Sequence, residues 1–134
     1  MRILFIDRRL VILHCSKNKI SDLSPLRKLK NLTELGCSNN QISNLKALKY
    51  IKDLKILYCS ENKISDLGPL KELKNLTGLY CDNNRIISLS PLRELKKLKT
   101  VNCYNNKYDN RIVYLKVLSL SHTNSKRNEL TEFY

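Results

Sequence analysis

Five cysteines recur at a fixed interval of 22 residues along the chain. They stand at Cys15, Cys37, Cys59, Cys81 and Cys103. Three positions after each of them comes an asparagine: Asn18, Asn40, Asn62, Asn84 and Asn106. A period of this length is typical of a solenoid, in which every repeat buries its apolar side chains against its neighbours. The chain of 134 residues is therefore predicted to form one domain built as a stacked array.

Each repeat opens with a segment that has strand character. In Leu32-Thr-Glu-Leu35-Gly-Cys37, the apolar Leu35 and Cys37 alternate with outward positions, as a short strand with one buried face requires. The period predicts parallel strands near residues 12–16, 34–38, 56–60, 78–82 and 100–104. After the strand, Asn40 stands at a bend, where a side-chain amide satisfies backbone groups that the turn leaves free.

The second half of each repeat spaces its apolar residues by three. In the second repeat these residues are Ile42, Leu45, Leu48 and Ile51. Such spacing favours 3₁₀ turns or extended coil over a long α-helix. Pro25, Pro69 and Pro91 share one register, which suits the first turn of a helix because no N–H partner is needed there.

The shared pattern is Leu-x-x-Leu-x-Cys-x-x-Asn-x-Ile, and it resembles the leucine-rich repeat with cysteine in place of the third leucine. The 22-residue form is similar to repeats of internalins and of a phosphatase regulator. Its cysteine variant is also similar to repeats abundant in large DNA viruses of amoebae and in some bacteria. The resemblance covers about residues 10–110. It implies an α/β solenoid, a right-handed arc with a parallel sheet on the concave side and 3₁₀ or coil segments on the convex side.

Three segments are predicted. Residues 1–9 form a short lead-in, and residues 10–120 form the repeat domain, with five repeats and a shortened sixth strand at Leu115–Leu120. Residues 121–134 are a C-terminal cap or tail. The apolar run Ile3–Ile6 is shorter than the roughly 7–15 residues of a secretory segment or the roughly 18 of a membrane helix. We therefore expect a cytoplasmic protein that does not enter a membrane.

The chemistry-bearing residues form no catalytic or metal-binding pattern. The cysteine count is odd, all five share one core register and no C-x-x-C pair occurs, which favours a buried, reduced column over disulfides or a zinc site. The two histidines, His14 and His122, have no nucleophile or acid in a recognisable motif. We predict no enzymatic activity, no cofactor and no metal.

The resemblance implies that the concave face binds a partner. Exposed tyrosines anchor many interfaces, because a large rigid ring carries one polar end. The residues expected to contact the partner are Glu34, Ile56, Tyr58, Tyr80, Asn102 and Tyr104. The sequence thus predicts a protein-binding module, an adaptor or a competitive inhibitor, whose partner it does not identify.

Two alternatives follow from the charge and from the thin ends. The formal net charge is +13, and a strongly basic chain can bind nucleic acid or another polyanion. The candidate phosphate contacts form one column before the strands: Lys30, Lys52, Lys74 and Lys96. A solvated outer face explains the same column without a ligand. A structural protein that associates with itself through its ends is the other alternative.

Overall fold

The computed structural model describes residues 7–108 of the chain. These residues alternate between short strands and 3₁₀ helices. The strands are β1 (Ile12–His14), β2 (Glu34–Gly36), β3 (Ile56–Tyr58), β4 (Gly78–Tyr80) and β5 (Thr100–Asn102). The helices are η1 (Ser24–Lys28), η2 (Lys46–Tyr50), η3 (Gly68–Glu72) and η4 (Ser90–Glu94). Residues 1–6 of the lead-in, the predicted sixth strand and the tail 121–134 lie outside the described residues.

The sheet is parallel and its strand order is the order of the chain, β1 to β5. Each residue pairs with its equivalent one repeat away, as Leu35 does with Leu57 and Tyr58 with Tyr80. Because the register equals the sequence period, residues of one repeat position form straight columns across the sheet. The predicted solenoid with a parallel sheet and a 3₁₀ layer is confirmed.

The strands are three residues long rather than the predicted five. Pairing continues beyond them through isolated bonds, such as Cys37 N–H to the Tyr58 carbonyl at 2.8 Å. The chain then turns at a left-handed residue two positions after each cysteine: Lys17, Asn39, Glu61, Asn83 and Asn105, with φ from 54° to 58°. The bend therefore follows directly after the last residue of each predicted strand, and the regular ladder itself ends two residues earlier.

The left-handed conformation of Lys17 predicts how a glycine at this position changes the free energy of unfolding. A non-glycine residue in this conformation costs roughly 1–2 kcal/mol, and asparagine tolerates it better than lysine. Lys17 is exposed and has a φ of 58°. We expect Lys17→Gly to raise the free energy of unfolding by about 1 kcal/mol, measured by urea denaturation.

A matched control lies two residues further on. Lys19 is also exposed, but its φ is not positive. Glycine there only adds freedom to the unfolded chain, so Lys19→Gly should lower stability by about 0.5–1 kcal/mol. Equal losses in the two variants would contradict the assigned turn.

Each 3₁₀ helix begins just after a polar side chain that folds back on it. Asp22 Oδ1 accepts from Ser24 N–H at 2.9 Å, and Asp66 Oδ1 accepts from Gly68 N–H at 2.7 Å. Proline occupies the first turn of η1, η3 and η4, as its register predicts. The helices bury one leucine each against the sheet: Leu26, Leu48, Leu70 and Leu92. The core is thus a continuous apolar layer between strands and helices.

The asparagine column holds neighbouring repeats together. Asn62 Nδ2 donates to the carbonyls of Cys37, Cys59 and Ser60, each at 3.1 Å, and its Oδ1 accepts from Ile42 N–H at 2.9 Å. The side chain is therefore bonded both within its own repeat and to the preceding one. Asn40 and Asn84 make the equivalent contacts. This confirms that the column is structural, because each amide satisfies backbone groups at a bend.

Candidate partner-binding surface

The residues that point away from the core form three columns on the concave face of the sheet. The first column is Ile12, Glu34, Ile56, Gly78 and Thr100. The second column is His14, Gly36, Tyr58, Tyr80 and Asn102. The third follows each cysteine and consists of Ser16, Ser38, Ser60, Asp82 and Tyr104. All six predicted contact residues therefore belong to these columns.

Two tyrosines form the centre of this face. The rings of Tyr58 and Tyr80 stack with centroids 4.8 Å apart and an interplanar angle of 16°. A Cβ built on Gly78 would lie 3.6 Å from Tyr80 Cε2 and 3.7 Å from Ile56 Cγ2. Ile56 and the Tyr80 ring therefore border the bare backbone of Gly78 from two sides. Ile56, Tyr58 and Tyr80 make one contiguous patch, which we call the tyrosine patch.

Polar residues border the tyrosine patch on its C-terminal side. Asp82 is 8% exposed, and its carboxylate accepts from Ser60 Oγ and from Asn83 Nδ2. Asn102 lies beside Tyr80 in the second column, and its Oδ1 is buried without a partner within residues 7–108. Tyr104 is 41% exposed at the end of the third column. The sequence does not predict the bonds of Asp82. Its only signal is an aspartate where earlier repeats have serine.

Sequence reasoning also missed the arrangement on the N-terminal side. His14 Nε2–H donates to Glu34 Oε1 at 2.8 Å. The imidazole lies over Gly36, since a Cβ there would stand only 2.8 Å from His14 Nδ1. Its centroid is 6.3 Å from that of Tyr58, with the rings tilted by 40°. Gly36 and Gly78 thus leave space on the sheet for the rings of His14 and Tyr80, respectively. A glycine at an outward strand position is the signal that could have indicated this.

The lysine column proposed for polyanions stands apart from the tyrosine patch. All four of its side chains are exposed: Lys30, Lys52, Lys74 and Lys96. Two of them have acidic neighbours, with Lys52 Nζ 3.6 Å from Glu72 and Lys74 Nζ 3.9 Å from Glu94. Lys30 Nζ lies 5.2 Å from the centroid of the Tyr50 ring. Exposed pairs of this kind contribute about 0–1 kcal/mol, and they reduce the charge that the column presents.

The cysteine column lies behind this face, in the core. All five cysteines are buried, as predicted, and each is a free thiol in the structure. Burial raises the pKa of Cys59 to about 12 and also raises the pKa of Cys37 well above its ordinary value. The thiols of Cys37 and Cys59 are therefore protonated at neutral pH, and only the thiolate is a good nucleophile or metal ligand. Within residues 7–108, no group of three His, Cys, Asp or Glu side chains is placed to hold a metal ion.

The family of the chain follows from its match to a family model. The model for "Leucine Rich repeats (2 copies)" matches residues 8–50, 52–94 and 74–112. The chain belongs to the leucine-rich-repeat family. Leucine-rich-repeat proteins generally serve as protein-interaction modules and are typically non-catalytic. A search of curated proteins found no match.

Solved structures of bacterial proteins are similar to the chain. Internalin C2 from Listeria monocytogenes is 38% identical, with a TM-score of 0.71 over 72% of this chain and 42% of that one. The InlJ functional domain from the same organism, which includes a cysteine ladder, is 34% identical, with a TM-score of 0.69 over 75% of this chain and 22% of that one. The leucine-rich-repeat protein LIC12759 from Leptospira interrogans is 24% identical, with a TM-score of 0.70 over 84% of this chain and 36% of that one. At this level of identity, the similarity supports the fold alone.

The chain spans less than half the length of these three proteins. The family match and the similarity to these structures identify the repeats as the internalin type.

No helix within residues 7–108 has the length and apolar character needed to span a membrane.

Proposed function

We propose that this chain is a non-catalytic module that binds a protein partner through the concave face of its sheet and acts as an adaptor or an inhibitor. The observation that carries the proposal is the Tyr58–Tyr80 stack beside Ile56. Tyrosine supplies a large contact area and a polar end, and it is enriched among the residues that dominate interface energies. Because the two rings already order one another, binding has less side-chain entropy to remove.

The surroundings of the tyrosine patch support the same proposal. A binding surface with an apolar centre and a polar rim is the usual arrangement in protein interfaces. Here Glu34 and Asn102 lie on either side of the patch, and Tyr104 extends it at 41% exposure.

We further propose that the module works in the cytoplasm, that of a bacterium or of a host cell in which a large DNA virus expresses it. Buried, unpaired thiols support a reducing environment, since cytosolic proteins keep their cysteines reduced. Because the chain spans less than half of the internalin-type proteins that it resembles, none of their partners is transferred to it.

The test begins with capture of partners from the native cell under reducing conditions. The affinity of a captured partner is then measured for Tyr58→Ala/Tyr80→Ala. Truncating an anchoring residue costs about 2 kcal/mol or more, so the double variant should bind at least about thirtyfold more weakly. The variant should stay folded, since it loses only one ring stack of about 0.5–1.5 kcal/mol.

Tyr50→Ala is the matched control for this experiment. Tyr50 is 43% exposed at the end of η2, beside Lys30 and Lys49 and away from the sheet. Its truncation should leave affinity unchanged. If the double tyrosine variant keeps full affinity, the binding site is not the tyrosine patch but an edge or an end of the solenoid.

The polyanion alternative is distinguished with the lysine column. If Lys30, Lys52, Lys74 and Lys96 contact phosphates, reversing their charges should abolish binding to duplex or single-stranded nucleic acid. That binding should also weaken steeply with salt. We expect no such binding even at about 50 mM salt, where phosphate contacts are strongest, and we expect the charge-reversed variant to bind the protein partner normally.

A further inference from the structure

The second column contains a notch at its N-terminal end. His14, Gly36 and Tyr58 occupy one register on β1, β2 and β3. Gly36 has no side chain, so the bare backbone of β2 is the floor of a gap between the two rings. One face of Tyr58 is covered by Tyr80 at 4.8 Å, and the other face is turned towards this gap. We call the gap the Gly36 notch.

The notch is narrow because His14 leans into it. The His14 and Tyr58 centroids are 6.3 Å apart. A planar group between two rings needs about 7–8 Å, since each face takes a contact of about 3.5–4.0 Å. The strands on either side of β2 are about 9.6 Å apart, at about 4.8 Å per step. A planar group therefore fits once His14 swings outward, and the His14 side chain is free to do so at 57% exposure.

A carboxylate lies next to the notch. Glu34 is the neighbouring outward residue on β2, and its side chain is 25% exposed. Its hydrogen bond from His14 Nε2 is the contact that would be lost when the imidazole moves. A ligand that displaces His14 must therefore supply a new donor to Glu34, because a half-buried carboxylate without one is costly.

We propose that the Gly36 notch binds an arginine side chain of the protein partner, in place of His14. This deepens the proposed function and rests on it. The guanidinium is planar, so it stacks on the free face of Tyr58, and it donates two parallel hydrogen bonds to Glu34. A phenylalanine would stack without replacing the lost donor, and a tyrosine or tryptophan would supply one hydrogen bond rather than two parallel ones. A lysine would pair with Glu34 without filling a planar slot.

The net charge of the chain means that short-range contacts, rather than long-range attraction, must select the arginine. The formal net charge is +13, so the long-range field repels cationic partners rather than gathering them. An arginine is therefore selected by the contacts of the notch itself. One partner surface could place its arginine at Gly36 and cover the tyrosine patch at the same time, because Tyr58 belongs to both.

The notch is tested first with small probes on the full chain under reducing conditions. The peptides acetyl-Ala-Arg-Ala-amide, its lysine analogue and its uncharged citrulline analogue are titrated while the NMR signals of Gly36 and His14 are followed. The arginine peptide should bind at least about tenfold more tightly than the other two. Equal binding of the three peptides, or no shift at Gly36, overturns the proposal.

Matched variants separate the notch from the rest of the face. Gly36→Ala fills the floor and should abolish binding of the arginine peptide, whereas Gly78→Ala, whose Cβ would meet only ordinary contacts, should not change it. Glu34→Gln should weaken binding about tenfold. His14→Ala removes the competing donor and should strengthen it. Unchanged binding by Gly36→Ala and Glu34→Gln overturns the proposal.

A captured partner distinguishes this proposal from the broader one. If Tyr58→Ala/Tyr80→Ala loses the partner and Glu34→Gln binds it like the unaltered chain, the arginine notch is wrong and the proposed function stands. If neither variant changes affinity, both are wrong. Loss of partner affinity in both variants, together with preference for the arginine peptide in the peptide assay, supports both proposals.

Discussion

Asn62→Ala is expected to lower the free energy of unfolding by about 3–5 kcal/mol, measured by urea denaturation. The change removes four hydrogen bonds at a position that is 9% exposed. Ile42 N–H then has no acceptor, and a buried unsatisfied group costs about 1–3 kcal/mol. The carbonyls of Cys37 and Cys59 keep a second donor from Asn40 and Asn84, which limits the loss.

Asn18→Ala is the control at the same repeat position. Asn18 lies in the first repeat and is exposed, and within residues 7–108 its amide bonds only the carbonyls of Cys15 and Ser16. Its replacement should cost about 1–2 kcal/mol. Equal losses at positions 18 and 62 would mean that the bonds between repeats contribute nothing to stability.

Leu57→Ala should cost about 2–5 kcal/mol, because it empties a fully buried position in the middle of the core. Leu57 pairs with Leu35 on one side and Leu79 on the other, so the cavity is closed by neighbouring repeats. Thermal or urea denaturation measures the loss.

Leu13→Ala is the matched control in that column. Leu13 belongs to β1, the first strand of the described sheet, and is only partly buried. A partly exposed site loses less transfer free energy and can relax around the deletion, so the cost should be clearly smaller. An unchanged denaturation curve for Leu57→Ala would contradict the register of the whole array.

The fold could be predicted because one period determines many residues at once. Repetition at 22 residues places Cys37 beside Cys59 whatever the details of the turn, so the parallel register follows from the sequence alone. The left-handed residue was not predicted, since Lys17 and Glu61 have no preference for that conformation and only three positions carry asparagine. The predicted strand length was wrong because the inward-outward alternation continues through the cysteine, whereas the regular ladder ends one residue before it. The predicted sixth strand and tail remain predictions.

The concave face was predictable in position but not in detail. Alternation along the strand places Tyr58 and Tyr80 in one column, and the structure brings their rings together. The hydrogen bond from His14 to Glu34 depends on a His14 rotamer that Gly36 on the adjacent strand permits, and no single repeat encodes it. The pairing of lysines with Glu72 and Glu94 likewise joins different repeats. The role of the six predicted contact residues stays a prediction.

The most direct test of the central claim is site-specific photo-crosslinking to a captured partner. A photoreactive benzoylphenylalanine replaces Tyr104, exposed beside the tyrosine patch, or Tyr50, similarly exposed on a helix. The proposed function predicts that the probe at position 104 crosslinks to the partner and that the probe at position 50 does not. Crosslinking from position 50 alone would contradict binding through the concave face.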